Sequence, residues 1–207
     1  MRFNLFRFRP LLVVLSGVAL AGTVPLAGVG NFRKVNDGVY RGAQPTEEGF
    51  AGLAKLGIKT VIDLRTTDEH SQDWEQKMVT AHGMRYVSIP MRGMSTPTDA
   101  QVGKALSILN DPGAAPVFIH CHRGADRTGA VIACYRVGHD HWKNNQALKE
   151  ARSDGMSWYQ FELQRYVLRY RPLPTPTIAA APPTPATGVK HDAAVAAAAA
   201  ASVAVVP

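Results

Sequence analysis

The sequence contains few of the features that define several classes of small protein. Only 2 of its 207 residues are cysteine, too few for a disulfide-stabilised scaffold or a four-cysteine zinc module. It has no run of clustered lysines interleaved with aromatic residues, which argues against a nucleic-acid partner. Charged residues make up 19% and hydrophobic residues 46% of the chain. This balance predicts one compact domain with a hydrophobic core and excludes a wholly disordered chain.

The chain carries a formal net charge of +7 at pH 7. Three of these charges come from Arg2, Arg7 and Arg9, at the extreme amino terminus. The rest of the chain therefore has only a modest basic excess, which suits an anionic ligand and does not require nucleic acid.

Residues 1–30 have the pattern of a signal peptide or an N-terminal anchor. The three arginines precede an apolar run at 11–21, and Ala19 and Ala21 stand in the register of a signal-peptidase site, with cleavage expected after Ala21. Residues 10–32 hold no formal charge and could instead span a bilayer as an uncleaved anchor. We therefore expect an exported protein, periplasmic or extracellular, or alternatively one anchored in the membrane and facing outside the cytoplasm.

The other end of the chain, residues 172–207, is rich in proline and alanine and has almost no large side chains to bury. Such a composition predicts a disordered tail. It could serve as a tether in the cell envelope or be an inert extension.

The intervening residues 31–171 alternate between strand and helix patterns, which predicts an α/β domain. Its central sheet is expected to be mainly parallel and flanked by helices, with further helices at the carboxyl end. Strands are predicted at 39–41, 60–64, 86–89 and 116–120, and helices after Thr46, at 68–82, after Thr98, and at 128–139, 144–153 and 157–171.

The chemistry of the chain is concentrated in residues 117–129. There Cys121 directly follows an apolar strand, and Arg127 comes six positions later, where a helix begins. A tight loop of this kind directs successive backbone N–H groups at one point, and the helix N-terminus adds positive potential. The guanidinium of Arg127 can bind two oxygens of a phosphoryl group. The same positive field favours the thiolate form of Cys121, so a nucleophile and an anion site are expected to coincide.

These residues resemble the signature of the cysteine-dependent protein tyrosine and dual-specificity phosphatase superfamily. The matching positions are His120, Cys121, Gly124, Arg127, Thr128 and Gly129. Segments at 39–45, 57–65, 89–91 and 133–136 are also similar to the compact atypical dual-specificity phosphatases, so the resemblance covers about residues 32–170. It implies the dual-specificity phosphatase fold and a phosphocysteine intermediate, without a metal or another cofactor.

The resemblance also implies a role for each matching residue. Cys121 would be the nucleophile, Arg127 would bind the equatorial oxygens in the transition state, and Thr128 would donate a hydrogen bond to the sulfur. His120 would hold the loop from behind. The substrate phosphate would be bound by the loop residues His122, Arg123, Gly124, Ala125, Asp126 and Arg127.

Two residues are candidates for the general acid that protonates the leaving oxygen. Asp126 lies inside the signature and is favoured by its position over the phosphate site. Asp99 lies 22 residues before Cys121, in the region where related phosphatases often carry this acid, but it also directly follows Thr98 at a predicted helix start.

The expected function is therefore hydrolysis of phosphomonoesters by a tyrosine- or dual-specificity-type protein phosphatase. The expected partners are a phosphorylated protein, an inositol phosphate or another phosphomonoester, with no nucleic acid and with possible membrane association through an uncleaved N-terminus. One alternative is a phosphoinositide or inositol-phosphate phosphatase on the same scaffold. Two others are a non-catalytic phosphate-binding module and a rhodanese-like sulfurtransferase. The sequence from Arg127 to Gly129 argues against the sulfurtransferase.

Overall fold

A computed structural model describes residues 25–69 and 71–172 of the chain. Residues 1–24 of the predicted export segment, and the predicted tail beyond residue 172, lie outside the described residues. None of the helices within the described residues is long and apolar enough to cross a bilayer.

The centre of the fold is a five-stranded sheet with the order β1-β2-β5-β3-β4. Its strands are β1 Arg33–Lys34, β2 Val39–Ala43, β3 Thr60–Asp63, β4 Arg85–Ser88 and β5 Val117–Cys121. Strands β2 to β5 pair in parallel, and only the short β1 runs antiparallel, against β2. This confirms the prediction of an α/β domain with a mainly parallel central sheet.

Six helices cover the two faces of this sheet. They are α1 Glu47–Lys55, α2 Gln72–Ala81, α3 Asp99–Leu109, α4 Asp126–Gly138, α5 Asn144–Ser153 and α6 Phe161–Arg169. Neighbouring strand residues point to opposite faces. Val61 accordingly packs in one hydrophobic cluster with residues of α1 and α2, whereas Ile62 packs in a second cluster with residues of α3 to α6. The sheet is thus enclosed between two helical layers.

Threonine and serine side chains accept hydrogen bonds from backbone N–H groups and so fix where three helices begin. Thr46 accepts from the backbone N–H of Gly49, and Thr98 forms a complete capping box with Gln101, as the sequence predicts. The predicted helix at 68–82 is shorter in the structure, because Ser71 caps the first turn of α2. Residues 64–69 form a loop at the carboxyl end of β3, next to the site described below.

Candidate active site

Cys121 is the last residue of β5, and its side chain lies at the base of a cavity of about 130 Å³ at the carboxyl edge of the parallel sheet. Only 2% of the residue is exposed. The cavity is lined by Gly93, Met94, Cys121, His122, Arg123, Asp126, Arg127 and Gln160. Most of the predicted catalytic and phosphate-binding residues are therefore brought together around one cavity.

The loop after Cys121 is held from behind through its carbonyl oxygens. Arg41 Nη2 and Asn31 Nδ2 donate to the carbonyl oxygen of Gly124, at 2.7 and 3.1 Å. The backbone N–H of Gln44 donates to the carbonyl oxygen of His122 at 3.2 Å. Among the described residues, the backbone N–H groups at positions 123–125 have no hydrogen-bond partner. The loop can therefore offer several amide donors to an anion.

Helix α4 adds to this anion site. It begins after Ala125, which provides no side-chain cap, so its first backbone N–H groups are not satisfied by a capping side chain. The N-terminus of a helix of 13 residues carries a partial positive charge. Because Cys121 and the start of α4 adjoin the same cavity, this charge favours a phosphate bound next to Cys121.

Gly124 allows the loop to approach the sheet closely. Its φ is +66°, in the left-handed region, and a Cβ atom there would lie 2.2 Å from the carbonyl carbon of Gly42 in β2. No larger residue fits this position without moving the main chain of either segment.

We therefore expect Gly124→Ala to lower the free energy of unfolding by at least about 1–2 kcal/mol, the cost of left-handed backbone for an alanine. Turnover of an aryl phosphate should fall as well, because the loop amides must shift. Denaturant unfolding and steady-state kinetics measure both effects. Gly103→Ala in α3 is the matched control, since its Cβ would meet no atom within 4 Å. Unchanged stability and turnover in Gly124→Ala would show that the loop tolerates a side chain here.

The guanidinium of Arg127 is held in place by three segments. Its Nη1 donates to Glu69 Oε1 at 2.5 Å and to the Met91 carbonyl oxygen at 3.0 Å, with the Leu64 carbonyl oxygen at 3.5 Å. Its Nη2 donates to Glu69 Oε2 at 2.7 Å. Burial alone would lower the pKa of Arg127, but the hydrogen bonds to Glu69 and the nearby Cys121 raise it. The arginine is therefore a fixed positive charge beside Cys121.

Four buried ionisable side chains lie behind Cys121. Arg65 donates to both carboxylate oxygens of Asp63, at 3.0 and 3.1 Å, and also binds Glu75. His120 Nε2 lies 2.8 Å from Glu75 Oε1, and its Nδ1 lies 3.4 Å from the Cys121 carbonyl oxygen. Asp63, Glu75 and His120 lie close enough to hold a metal ion, but the Arg65 guanidinium already supplies the positive charge there.

Two further residues that the sequence analysis and the cysteine count single out, Thr128 and Cys134, lie in buried surroundings. The hydroxyl of Thr128 is buried and, among the described residues, has no hydrogen-bond partner, so its predicted bond to the Cys121 sulfur is not formed in this structure. Cys134 lies in the hydrophobic core, where burial raises the pKa of its thiol. Both cysteines are free thiols.

The two predicted acids occupy different places. Asp126 lines the cavity, where its Oδ1 accepts from the backbone N–H of Ser157 at 2.7 Å and its Oδ2 lies 3.6 Å from Arg123 Nη1. Asp99, the first residue of α3, accepts a hydrogen bond from the Tyr166 hydroxyl at 2.8 Å. Of the two, Asp126 is the one that lines the cavity of Cys121, and the assignment of the acid stays a prediction.

Sequence reasoning missed two residues of the site. Glu69 was assigned to a helix, but it lies in the loop before α2 and binds Arg127 through both carboxylate oxygens. Gln160 lines the cavity from the segment before α6. The sequence did contain a signal for Glu69. The polar residues 66–69 follow the carboxyl end of a buried parallel strand, and ligands bind at the carboxyl ends of such strands. Nothing comparable marks Gln160.

Comparison with known proteins gives consistent matches. A family model described as "DSP-PTPase phosphatase fused to NAD+ Kinase" matches residues 30–167. The inositol diphosphatase DSP3 of Arabidopsis thaliana is 31% identical over 143 residues, which cover 67% of this chain and 69% of that protein. For eight of the curated relatives, the matched segment spans from 39% to 69% of the relative's own length.

Two solved structures share the fold. The core catalytic domain of the PP-IP phosphatase Siw14 from Saccharomyces cerevisiae, in complex with citrate, superimposes with a TM-score of 0.63 and 26% identity, covering 71% of this chain and 89% of that one. TpbA of Pseudomonas aeruginosa in complex with phosphotyrosine gives a TM-score of 0.56 and 27% identity, covering 66% and 82%.

Proposed function

Because the chain belongs to the DSP-PTPase phosphatase family that its residues 30–167 match, we propose that it hydrolyses phosphomonoesters through a covalent phosphocysteine on Cys121. The observation that carries this proposal is the convergence of Cys121, Arg127 and the N-terminus of α4 on one small cavity. A nucleophile and an anion site at the same point are what transfer of a phosphoryl group to sulfur requires.

In the first step, the thiolate of Cys121 attacks phosphorus and forms a P–S bond while the bond to the leaving oxygen breaks. Arg127 and the loop amides bind the equatorial oxygens, on which negative charge is spread in the transition state. The leaving oxygen takes a proton from a carboxylic acid, for which Asp126 is the predicted residue that lines the cavity. The products of this step are the free alcohol or phenol and the phosphorylated cysteine.

In the second step, water attacks the phosphocysteine and gives a proton to the carboxylate that lost one in the first step, while the P–S bond breaks and inorganic phosphate leaves. The sulfur departs as a thiolate, which the α4 N-terminus stabilises. The family resemblance gives Thr128 the role of donating to this sulfur; its buried hydroxyl has no hydrogen-bond partner among the described residues, so no other group competes for it. Neither step requires a metal or another cofactor.

Two classes of substrate are supported by the relatives. TpbA has been solved in complex with phosphotyrosine, which favours a phosphorylated protein. DSP3 is named an inositol diphosphatase and Siw14 a PP-IP phosphatase, which favours an inositol phosphate as the second candidate.

We expect the purified protein to release phosphate from at least one member of a panel containing a phosphotyrosyl peptide, a phosphoseryl peptide, an inositol diphosphate and a phosphoinositide. The kcat/KM values show whether phosphopeptides or inositol phosphates are the better substrates. EDTA in every assay separates the cysteine mechanism from contaminating metal-dependent phosphatases. A protein that binds vanadate but releases no phosphate from any aryl or alkyl ester would instead be a phosphate-binding module.

A further inference from the structure

A cluster of exposed aromatic residues lies beside the cavity that contains Cys121. Among the described residues, seven large hydrophobic residues are exposed, and four of them fall between positions 158 and 168. They are Trp158, Tyr159, Phe161 and Leu168, with 77%, 42%, 59% and 46% of each residue exposed. The ring of Trp158 makes edge contacts with those of Tyr159 and Phe161, at centroid distances of 5.7 and 6.1 Å. Single exposed hydrophobic residues are ordinary, but a contiguous group marks a binding surface.

Helix α6 extends this cluster with positive charges. Phe161, Arg165, Leu168 and Arg169 follow the i, i+4, i+7, i+8 spacing of one helix face, and all four are exposed. The opposite face of α6 is buried in the domain. The whole surface, called here the aromatic-basic patch, consists of Trp158, Tyr159, Phe161, Arg165, Leu168 and Arg169.

The main chain that carries the aromatic rings is held in place. Gln164, which is only 6% exposed, donates from its Nε2 to the carbonyl oxygens of Ser157 and Trp158, both at 3.0 Å. The backbone N–H of Ser157 donates to Asp126 at 2.7 Å, and Gln160 lines the same cavity as Asp126. The patch therefore adjoins this cavity, and its main chain cannot turn inward without breaking buried hydrogen bonds.

The charges around the patch favour an anionic partner. Residues 157–171 contain three arginines and one acidic residue, Glu162, an excess of two positive charges. Glu162 accepts from Arg165 at 3.0 Å and from Thr96 at 2.7 Å, yet 54% of the Arg165 side chain remains exposed. Arg123, which lines the neighbouring cavity, also has 54% of its side chain exposed. Exposed aromatic rings and free positive charge thus occupy one surface.

The amino-terminal part of the chain enters the domain close to this patch. Residues 1–24, with the predicted apolar run at 11–21, precede the described residues. Asn31 Nδ2 donates to the carbonyl oxygen of Asp154 at 3.0 Å, and Asp154 comes four residues before Trp158. A segment that brings the chain to a membrane would therefore bring the patch to the same surface.

We propose that the aromatic-basic patch docks the protein on an anionic bilayer surface. Tryptophan and tyrosine favour the interface between water and lipid, and a helix with phenylalanine, leucine and arginine on its exposed face can lie in the plane of that interface. The arginines add attraction to anionic headgroups. Docking would hold the mouth of the Cys121 cavity next to the membrane. The proposal does not depend on the phosphatase function, because docking is measured without turnover.

The test uses the full chain and vesicles of equal parts phosphatidylcholine and phosphatidylglycerol, with acyl chains that carry bromine, a contact quencher of tryptophan fluorescence. We expect these vesicles to quench the emission of the wild type, and we expect Trp158→Phe to lose this quenching. Trp74→Phe is the matched control and should retain it, because Trp74 is 39% exposed but packs against Phe50, outside the patch. The readout is local to Trp158, so lipid binding by residues 1–30 does not obscure it.

Two further variants test the apolar and the charged part of the patch separately. Leu168→Ser should raise the vesicle concentration for half-maximal quenching by roughly 5-fold, because it removes a half-exposed apolar side chain from the interface. Leu56→Ser is its control and should have no effect, since Leu56 has the same 46% exposure at the end of α1. Arg169→Gln should also raise this concentration by roughly 5-fold, the attraction of one charge to an anionic surface.

Equal quenching of the wild type and Trp158→Phe would overturn the proposal. Equal quenching by vesicles of phosphatidylcholine alone would also overturn it, because the arginines would then have no role. Acrylamide, a neutral quencher in solution, should reach Trp158 in the absence of vesicles. If it does not, a second copy of the chain or residues 173–207 cover the patch, and a lipid surface is not its partner.

Discussion

Replacing Cys121 by serine is expected to lower kcat by about 10⁴- to 10⁶-fold, the range measured when the nucleophile of a covalent mechanism is removed. A serine hydroxyl stays protonated at neutral pH and needs an adjacent base to become a nucleophile, whereas a thiol is ionised readily. The imidazole of His120 cannot supply that base, because it lies behind the loop between Glu75 and the Cys121 carbonyl oxygen. Steady-state turnover of an aryl phosphate measures the loss.

The same variant should still bind phosphate and vanadate, because the loop amides and Arg127 are unchanged. Cys134→Ser provides the control: this thiol is buried in the core, so the change should lower stability and leave turnover at 25 °C close to that of the wild type. In the wild type, acid quenching during turnover of a labelled substrate should trap phosphate on Cys121. Full activity in Cys121→Ser, or label on a different residue, would contradict the proposed mechanism.

Removing the general acid is expected to have the second largest effect. We expect Asp126→Asn to lower kcat for an alkyl phosphate by roughly 10²- to 10⁴-fold and kcat for an aryl phosphate with a good leaving group far less. An alkoxide is a poor leaving group and needs the proton, whereas a stabilised phenolate leaves without it. Asparagine can still accept the hydrogen bond from the Ser157 N–H through its Oδ1, so the loop geometry is retained.

Asp99→Asn tests the alternative acid under the same assay. Its Oδ1 can also keep the hydrogen bond from Tyr166, so the start of α3 is preserved. The variant with the large difference between the two esters identifies the acid. If neither shows it, both assignments are wrong, and the proton comes from water or from a group outside these two positions.

Several parts of the fold and site could be read from the sequence because their determinants are local. The caps at Thr46 and Thr98 involve residues three positions apart, and both are found in the structure. The spacing between Cys121 and Arg127 is also local, since one strand, one loop and one helix turn contain it. Gly124 in the left-handed region allows this turn, and that conformational freedom is a property of the glycine itself.

Contacts between distant segments could not be read in this way. Glu69 meets Arg127 across 58 residues, and Ser157 meets Asp126 across 31. The assignment of residues 68 and 69 to a helix was wrong, because helix periodicity cannot show that Ser71 caps the helix while Glu69 binds Arg127. The ion pair between Glu69 and Arg127 depends on the strand order, which places β3 directly beside β5.

The amino-acid order by itself thus determined the alternation of strands and helices and the spacing of Cys121 and Arg127 across one strand end, one loop and one helix start, because hydrophobic periodicity, caps and turn geometry act over a few residues. Only the tertiary structure decided what holds that arginine, which carboxylate adjoins the sulfur and which charges are buried behind it. Those outcomes depend on how parallel strands from separate parts of the chain pack side by side, bringing their carboxyl-end loops to a common edge.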